Sequence, residues 1–468
     1  MSSPDLREGN SLASRDVKSL IHPYTNLSTH EKTGPLIIET GKGIYVYDDD
    51  GREYIEGMAG LWCTSFGFGE QELIDAAVKQ MHKLPYYHSF ASKSTEPGIV
   101  LAEKLLEIAP ADFSKVFFVN SGSEANDTVV KLIWYYNNSR NLPKKKKIIS
   151  RQKAYHGVTV AAASLTGLPP LHNDFDLPIQ NILHTSCPHY YRFAHDGESE
   201  EDFSTRLAQE LEELILKEGP DTVAAFIAEP VMGAGGVIVP PKGYFEKIQQ
   251  VLKKYDILLV ADEVICGFGR TGNMWGTQTM GMKPDILSCA KALSSAYLPI
   301  AAVMISEEIF QEMVRQSEKH GNFAHGYTYS GHPVPAAVAI RTLELMEERN
   351  IVEHVRSVAP VFEKCFKDLE SHPLVGEVRV CGLVGAAELV ADKSTKRSFA
   401  AKLAAGPTAY QFMQEEGLIS RSVAGDNLAL CPPLIITEDE IRDMFAKYKR
   451  ALDRLEEIVT ANNWREEV

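Results

Sequence analysis

None of the seven cysteines pairs with another at C-x-x-C spacing, and an odd, scattered set in a 468-residue chain reads as reduced thiols rather than a disulfide framework. No apolar run approaches the length of a membrane span. Positive charge is also short, with 48 Lys and Arg against 63 Asp and Glu, a formal net charge of −15. Such a surface offers no footprint for nucleic acid or anionic lipid. The only basic block, Lys144–Lys147, lies between Pro143 and Ile148-Ile149 and reads as a solvated turn before a strand. The polar stretch Met1 to Asp16 lacks the apolar core of a secretory signal, so a soluble, cytoplasmic protein is expected. His184, Cys187, His189 and His195 are metal-ligand types, but their spacing fits no zinc motif and no metal is expected. There is no internal repeat and no low-complexity segment.

What is present is a long alternation. Residues 1–35 are polar and read as an irregular arm that packs on something else. Ile44–Tyr47 and Tyr54-Ile55 flank Asp48-Asp49-Asp50-Gly51, a hairpin signal. Leu73, Ala77, Met81 and Leu84 recur at helical spacing, as do Leu101, Leu105 and Ile108 behind Pro97. From about residue 115, short apolar strands alternate with amphipathic helices: Val116–Val119, Ile148-Ile149, Val223–Ala228, Leu258–Ala261, Ile286-Leu287 and Ala301–Ile305. That pattern predicts an α/β fold with a mainly parallel sheet covered by helices. Val378–Val380, Val384–Leu389 and a closing helix over Glu438–Ile458 predict a smaller second α/β lobe. The expected division is 1–70 (arm and small-domain segment), 71–340 (large domain) and 341–468 (C-terminal small domain).

Open α/β sheets bind ligands outside the carboxyl ends of their strands, so those ends are where chemistry is sought. Ser121-Gly122-Ser123-Glu124-Ala125-Asn126 follows a strand and opens a helix, whose N–H groups suit a phosphate. Asp262 ends a strand and Val264, two residues on, points to the same side. A buried carboxylate there needs a cationic partner, which a protonated pyridine nitrogen would supply. Lys291, just past a buried strand, can lose its charge and act as an amine nucleophile. Tyr155, before His156-Gly157, offers an aromatic face for stacking. Taken singly, each has an ordinary explanation: a capped helix, a turn lysine, a core tyrosine. Together they form one set in one order.

That set resembles the class III (ω-type) aminotransferases, pyridoxal-5′-phosphate (PLP) enzymes of fold type I, over about residues 20 to 460. The similarity rests on Ser121–Asn126, Tyr155-His156-Gly157, Ala228-Glu229-Pro230-Val231, Leu259–Val264, Gly267–Gly272, Lys291 and Thr328–Pro333. It implies that Lys291 forms the Schiff base with PLP and shuttles the proton, and that Asp262 pairs with the pyridine nitrogen. It implies that Val264 and Tyr155 cover the two ring faces, and that Ser121, Gly122 and Ser123 bind phosphate. Glu229 would support the cofactor's polar edge and hold an arginine. Thr328 would reach the phosphate of a partner subunit, so the resemblance implies a homodimer, alone or paired into a tetramer. Trp62 and Arg421, the latter on the flexible Ser420-Arg421-Ser422 loop, look like the pocket tryptophan and mobile arginine of amine/ω-amino acid:pyruvate transaminases, with Trp62, Phe90, Tyr155 and Ala234 lining the pocket. Without the family context, Trp62 reads equally as a core or interface residue and Arg421 as a surface ion pair.

The implied reaction is ping-pong transfer of an amino group from a primary amine or ω-amino acid to a keto acid, pyruvate foremost. Alternatives within the family are 2-oxoglutarate-dependent ornithine- or GABA-type aminotransferases, dialkylglycine decarboxylases and aminomutases. A catalytically dead scaffold on the same fold is the alternative of another class, and the intact Lys291 and Asp262 argue against it.

Overall fold

The computed structural model describes residues 9–467. Its chain opens on two short helices, Leu12–Ser19 and Leu27–Thr33, capped by the side chains of Ser11 and Asn26. Asp16 ties them together, accepting hydrogen bonds from His22 Nε2 at 2.8 Å and His30 Nε2 at 3.0 Å. The arm is therefore helical in two places, not irregular as its polar composition suggests. Local capping and one shared carboxylate order it, and neither leaves a periodic apolar signal.

Strands β1 (Ile38–Lys42), β2 (Tyr45–Asp48) and β3 (Glu53–Glu56) form an antiparallel meander. Asp48 closes the β2–β3 turn, its Oδ1 accepting from the N–H groups of Asp50 and Arg52. The helices Gln71–Lys83 and Glu96–Glu107 follow.

The central sheet has seven strands: β4 (Phe113–Val119), β5 (Lys147–Arg151), β6 (Ile182–Thr185), β7 (Val223–Ala228), β8 (Leu258–Asp262), β9 (Ile286–Cys289) and β10 (Ala301–Ser306). Their spatial order is β4-β10-β9-β8-β7-β5-β6. All neighbours pair parallel except β10, which runs antiparallel to both β4 and β9. β7 is buried along its whole length, as a strand covered on both faces requires. Each such Val, Ile or Phe contributes roughly 1.5–3 kcal/mol. The edge strand β6 was not read from the sequence; four residues that include His184 and Thr185 leave too short an apolar run.

After the helices Pro333–Glu348 and Ile351–Leu369 come β11 (Val375–Cys381), β12 (Val384–Leu389), β13 (Leu418-Ile419), β14 (Arg421–Val423) and β15 (Asn427–Leu430). β11, β12, β15 and β14 form a third sheet, in that order, while β13 joins β3 in parallel. The first and last segments of the chain thus share one sheet. The helix Glu438–Ala461 closes the chain, and its Thr437–Glu440 capping box sets where it starts.

The lysine run departs from expectation. Lys145 is buried and donates to the Tyr255 carbonyl, Lys146 donates to that of Trp134, and Lys147 pairs with Glu218 at 2.8 Å. Burial holds the Lys145 pKa below the usual lysine range. The block is stitched to its neighbours rather than solvated, because each long stem covers apolar surface while its head finds an acceptor. His184 and His189 also part company: His184 Nε2 lies 3.1 Å from the Thr166 carbonyl and His189 Nε2 3.0 Å from Glu377. No helix of the described residues is long and apolar enough to cross a membrane.

Candidate functional site

The carboxyl ends of β4, β5, β7, β8 and β9 open into one cleft of about 710 Å³. It is lined by Trp62, Ser121, Gly122, Ser123, Tyr155, Glu229, Ala234, Asp262, Val264, Lys291 and Arg421, which is every residue expected in the chain's own cleft except Phe90.

Ser121 caps the helix Gly122–Ser139, its Oγ accepting from the Glu124 N–H at 3.2 Å. The first turn of that helix presents N–H groups to the cleft, a ready anion site. A Cβ on Gly122 would meet both γ-carbons of Val264 at 3.1 Å, so glycine brings the helix close to the strand end that carries Asp262. Ser123 Oγ accepts from the Val158 N–H at 3.1 Å. Gly157 sits at φ +135°, and a Cβ there would fall 2.5 Å from Ser123 Oγ.

Asp262 is buried at the end of β8. Its Oδ2 accepts from His156 Nδ1 and from Asn126 Nδ2, both at 2.8 Å, and its Oδ1 accepts from the Val264 N–H at 3.0 Å. Asn126 is held in turn by the His156 carbonyl at 2.7 Å and by Ser288 Oγ at 2.9 Å. Strand alternation turns Glu263 to the opposite face, where it caps the helix Gly276–Met280 through the N–H groups of Gly276 and Thr277. His156 and Asn126 stood inside the sequence motifs without a role. Their part in fixing Asp262 depends on contacts between residues 30 to 136 positions apart, which no local pattern signals.

Lys291 follows β9 in the left-handed region, φ +50°, at the start of a short 3-10 turn. Desolvation pushes its pKa down, opposed by Cys63, Asp262, Cys431 and Glu229. Among the described residues its Nζ makes no hydrogen bond or ion pair; the charge of Asp262 reaches it only at longer range. An amine in that state is closer to a free nucleophile than a solvated lysine is.

Burial pushes the Glu229 pKa up, and its carboxylate accepts from the N–H groups of Tyr155 at 3.0 Å and Gly233 at 3.1 Å. No arginine pairs with its carboxylate among the described residues; Arg151 donates to the main-chain carbonyl of Glu229 at 2.7 Å. Tyr155 receives a hydrogen bond from Tyr24 of the N-terminal arm at 3.2 Å, so the arm reaches the cleft rim. Leu61, Leu168, Pro169, Pro170, Leu171 and Lys153 also line the cleft and were not foreseen.

Two expectations need correction. Phe90 is 48% exposed and lies outside the cleft, beside Gly326. Thr328, expected at the phosphate of a partner subunit, lies outside its own cleft, its carbonyl accepting from Tyr86 Oη at 2.7 Å. Arg421, expected on a flexible loop, sits on β14, its backbone in register with Ala429 of β15.

The helix N-terminus accepts an anion, the Asp262 carboxylate a ring cation, Val264 and Tyr155 offer apolar faces, and the half-desolvated Lys291 amine an attachment point. A flat, phosphorylated pyridine aldehyde fits those donors and acceptors, and with the strand order they define a PLP-dependent transferase of fold type I. The Aminotransferase class-III family matches residues 27–452. The omega transaminase of Pseudomonas jessenii, in a structure with PMP, is 54% identical and covers 96% of this chain and 99% of its own, with a TM-score of 0.95. Gamma-aminobutyrate transaminase 1, mitochondrial, of Oryza sativa subsp. japonica is 53% identical over 441 residues, 94% of this chain and 85% of the relative. Gamma aminobutyrate transaminase 3, chloroplastic, of Solanum lycopersicum is 50% identical over 459 residues, 96% of this chain and 88% of the relative. The chain belongs to the class III aminotransferases: it is a PLP-dependent transaminase.

Proposed function

We propose that this transaminase moves the amino group of a terminal primary amine or ω-amino acid to a short keto acid, with pyruvate as the preferred acceptor. The observation that carries this reading is Arg421 in a cleft with an apolar wall of Trp62, Leu61, Leu168, Ile265 and Ala234. An apolar wall accepts the chain of a donor amine, and a guanidinium grips a keto-acid carboxylate with two parallel hydrogen bonds. The names of the relatives, omega transaminase and gamma-aminobutyrate transaminase, support a donor whose amine is distant from any carboxylate.

When bound, PLP supplies the electron sink for the pair left as the donor carbon loses its proton. Lys291 would hold the cofactor covalently and, once freed by the incoming amine, would move the proton from the donor carbon. Asp262, fixed by His156 and Asn126, would keep the ring nitrogen protonated. Ser121, Gly122 and Ser123 would hold the phosphate and Val264 and Tyr155 the ring, while Glu229 orders the loop bearing Tyr155. Turnover with a panel of amines and ω-amino acids, against pyruvate and 2-oxoglutarate, tests the reading. Strict use of 2-oxoglutarate, carbon dioxide release, or reaction without a net acceptor would each overturn it.

Replacing Arg421 by Ala should cost about 2–4 kcal/mol in the keto-acid half-reaction, the scale for removing one partner of a buried charge pair. The half-reaction with an arylalkyl amine should change little. Each half is read from cofactor absorbance; equal losses in both would make Arg421 structural, and an unchanged pyruvate half would place the carboxylate site elsewhere.

The functional unit in this reading is a homodimer. Phe90 and Thr328 lie outside their own cleft on a face that also exposes Tyr87 and Tyr329, and a second copy would bring such residues to the neighbour's site. Sizing chromatography with activity across the peak should place all turnover at twice the 51.9 kDa chain mass or above. Full activity at the monomer position would refute it.

A further inference from the structure

Lys153 lines the same cleft and has no part in the chemistry above. It stands two residues past β5 in the left-handed region, φ +66°. Its N–H donates to the Gly167 carbonyl and the Gly167 N–H to the Ala154 carbonyl, both at 2.8 Å, which clamps the loop in that shape. A Cβ on Gly235 would fall 2.3 Å from the Lys153 carbonyl and 3.2 Å from its Cβ, so the residue is seated against the segment that carries Ala234. Its far end reaches the β14–β15 turn: Nζ lies 3.9 Å from where a Cβ on Gly425 would stand. The side chain therefore runs from one wall of the cleft to the hairpin that bears Arg421.

Holding a non-glycine residue left-handed is unfavourable, and such strain concentrates where a side chain must be aimed. Lys145 and Lys147 each have an acidic partner, Asp256 and Glu218, whereas Lys153 has no ion-pair partner among the described residues. A half-buried cation without a counter-charge is itself a costly arrangement, relieved when an anion arrives. Apolar Leu61, Leu168, Pro170 and Leu171 line the same space.

We propose that Lys153 binds the distal carboxylate of an ω-amino acid donor, whose amine reacts at Lys291 and whose methylene chain lies along the apolar wall. This rests on the ω-amino acid reading of the site. Gly425 is four residues beyond Arg421 along the hairpin, at most about 13 Å at the rise of extended chain. A lysine, a point charge on a flexible stem, tolerates spacers of several lengths, which the rigid fork of arginine does not.

The test is the holoenzyme and its Lys153→Met variant, assayed with pyruvate and two matched donor series: 4-aminobutyrate and 5-aminopentanoate, and the uncharged n-butylamine and n-pentylamine. Methionine keeps the stem and meets the same backbone strain, so cofactor content and melting temperature should be unchanged. KM for the ω-amino acids should rise about ten- to hundredfold, the range for losing a hydrogen bond to a charged group, with KM for the alkylamines and for pyruvate unchanged. Lys153→Arg should recover much of the loss. If both donor series lose equally, or neither does, the role of Lys153 is refuted while ω-amino acid use by the parent enzyme stands. If the parent enzyme takes alkylamines and no ω-amino acid, the role of Lys153 falls with the ω-amino acid reading, while transfer from a primary amine stands.

Discussion

Lys291→Ala protein is expected to lose at least about 10⁴-fold in turnover while still retaining PLP through the helix N-terminus. The size follows from what one side chain does twice. It is the attachment point for the cofactor and then the proton carrier, and general acid–base transfer alone is worth about 10²–10⁴-fold. No second amine is poised to replace it: the Lys153 side chain runs along Gly235 toward Gly425. The position also explains why the amine is usable. Burial pushes its pKa down, while the positive φ and the 3-10 turn fix its backbone at the end of β9. The check is steady-state transamination together with borohydride reduction of the parent enzyme and peptide mapping. Reduction that tags another lysine, or turnover within tenfold of the parent in the variant, would remove Lys291 from its place.

Asp262→Asn should slow the chemical step by about 10²–10³-fold, or roughly 3–4 kcal/mol, the scale of deleting one preorganised electrostatic partner. Two effects act together. The ring nitrogen loses the charge that keeps it protonated, so the electron sink weakens. The amide also cannot satisfy its neighbours. One carboxylate oxygen accepts from both His156 Nδ1 and Asn126 Nδ2, and the other from the Val264 N–H. An NH₂ in either position points a donor at a donor, which costs about 1–3 kcal/mol locally. That is too little to unfold a sheet whose strands are this deeply buried, so the melting temperature should fall by only a few degrees while activity collapses. Stopped-flow absorbance with an α-deuterated amine isolates proton removal. A variant whose proton-transfer rate stays within threefold of the parent would deny Asp262 this role.

The departures from the sequence reading share a cause. Phe90 was expected in the pocket, and a single chain keeps it outside. Residue type at one position does not report which cleft the fold turns the side chain toward. Arg421 was expected on a loop, but three residues of β14 bonded to β15 are too few to show an alternating pattern. The arm and Lys145 were misread for a similar reason: side-chain hydrogen bonds to groups farther along the chain order them, and composition does not report such pairs.

By itself the sequence determined the alternation of strand and helix, and with it the placement of Ser121–Ser123, Glu229, Asp262 and Lys291 at the ends of β4, β7, β8 and β9. Periodic burial dictates that alternation, and a parallel sheet sends the carboxyl ends of its strands to one edge, so residues at those ends must meet. Tertiary structure alone decided the rest. It brought Trp62 from the N-terminal segment and Arg421 from the C-terminal sheet to the same cleft, and set His156 and Asn126 on Asp262. It also clamped Lys153 beside Gly167 and Gly235 and laid Tyr24 of the arm over Tyr155. These are contacts between segments far apart in the chain, set by how separate sheets pack, and no local period or motif spacing encodes that packing.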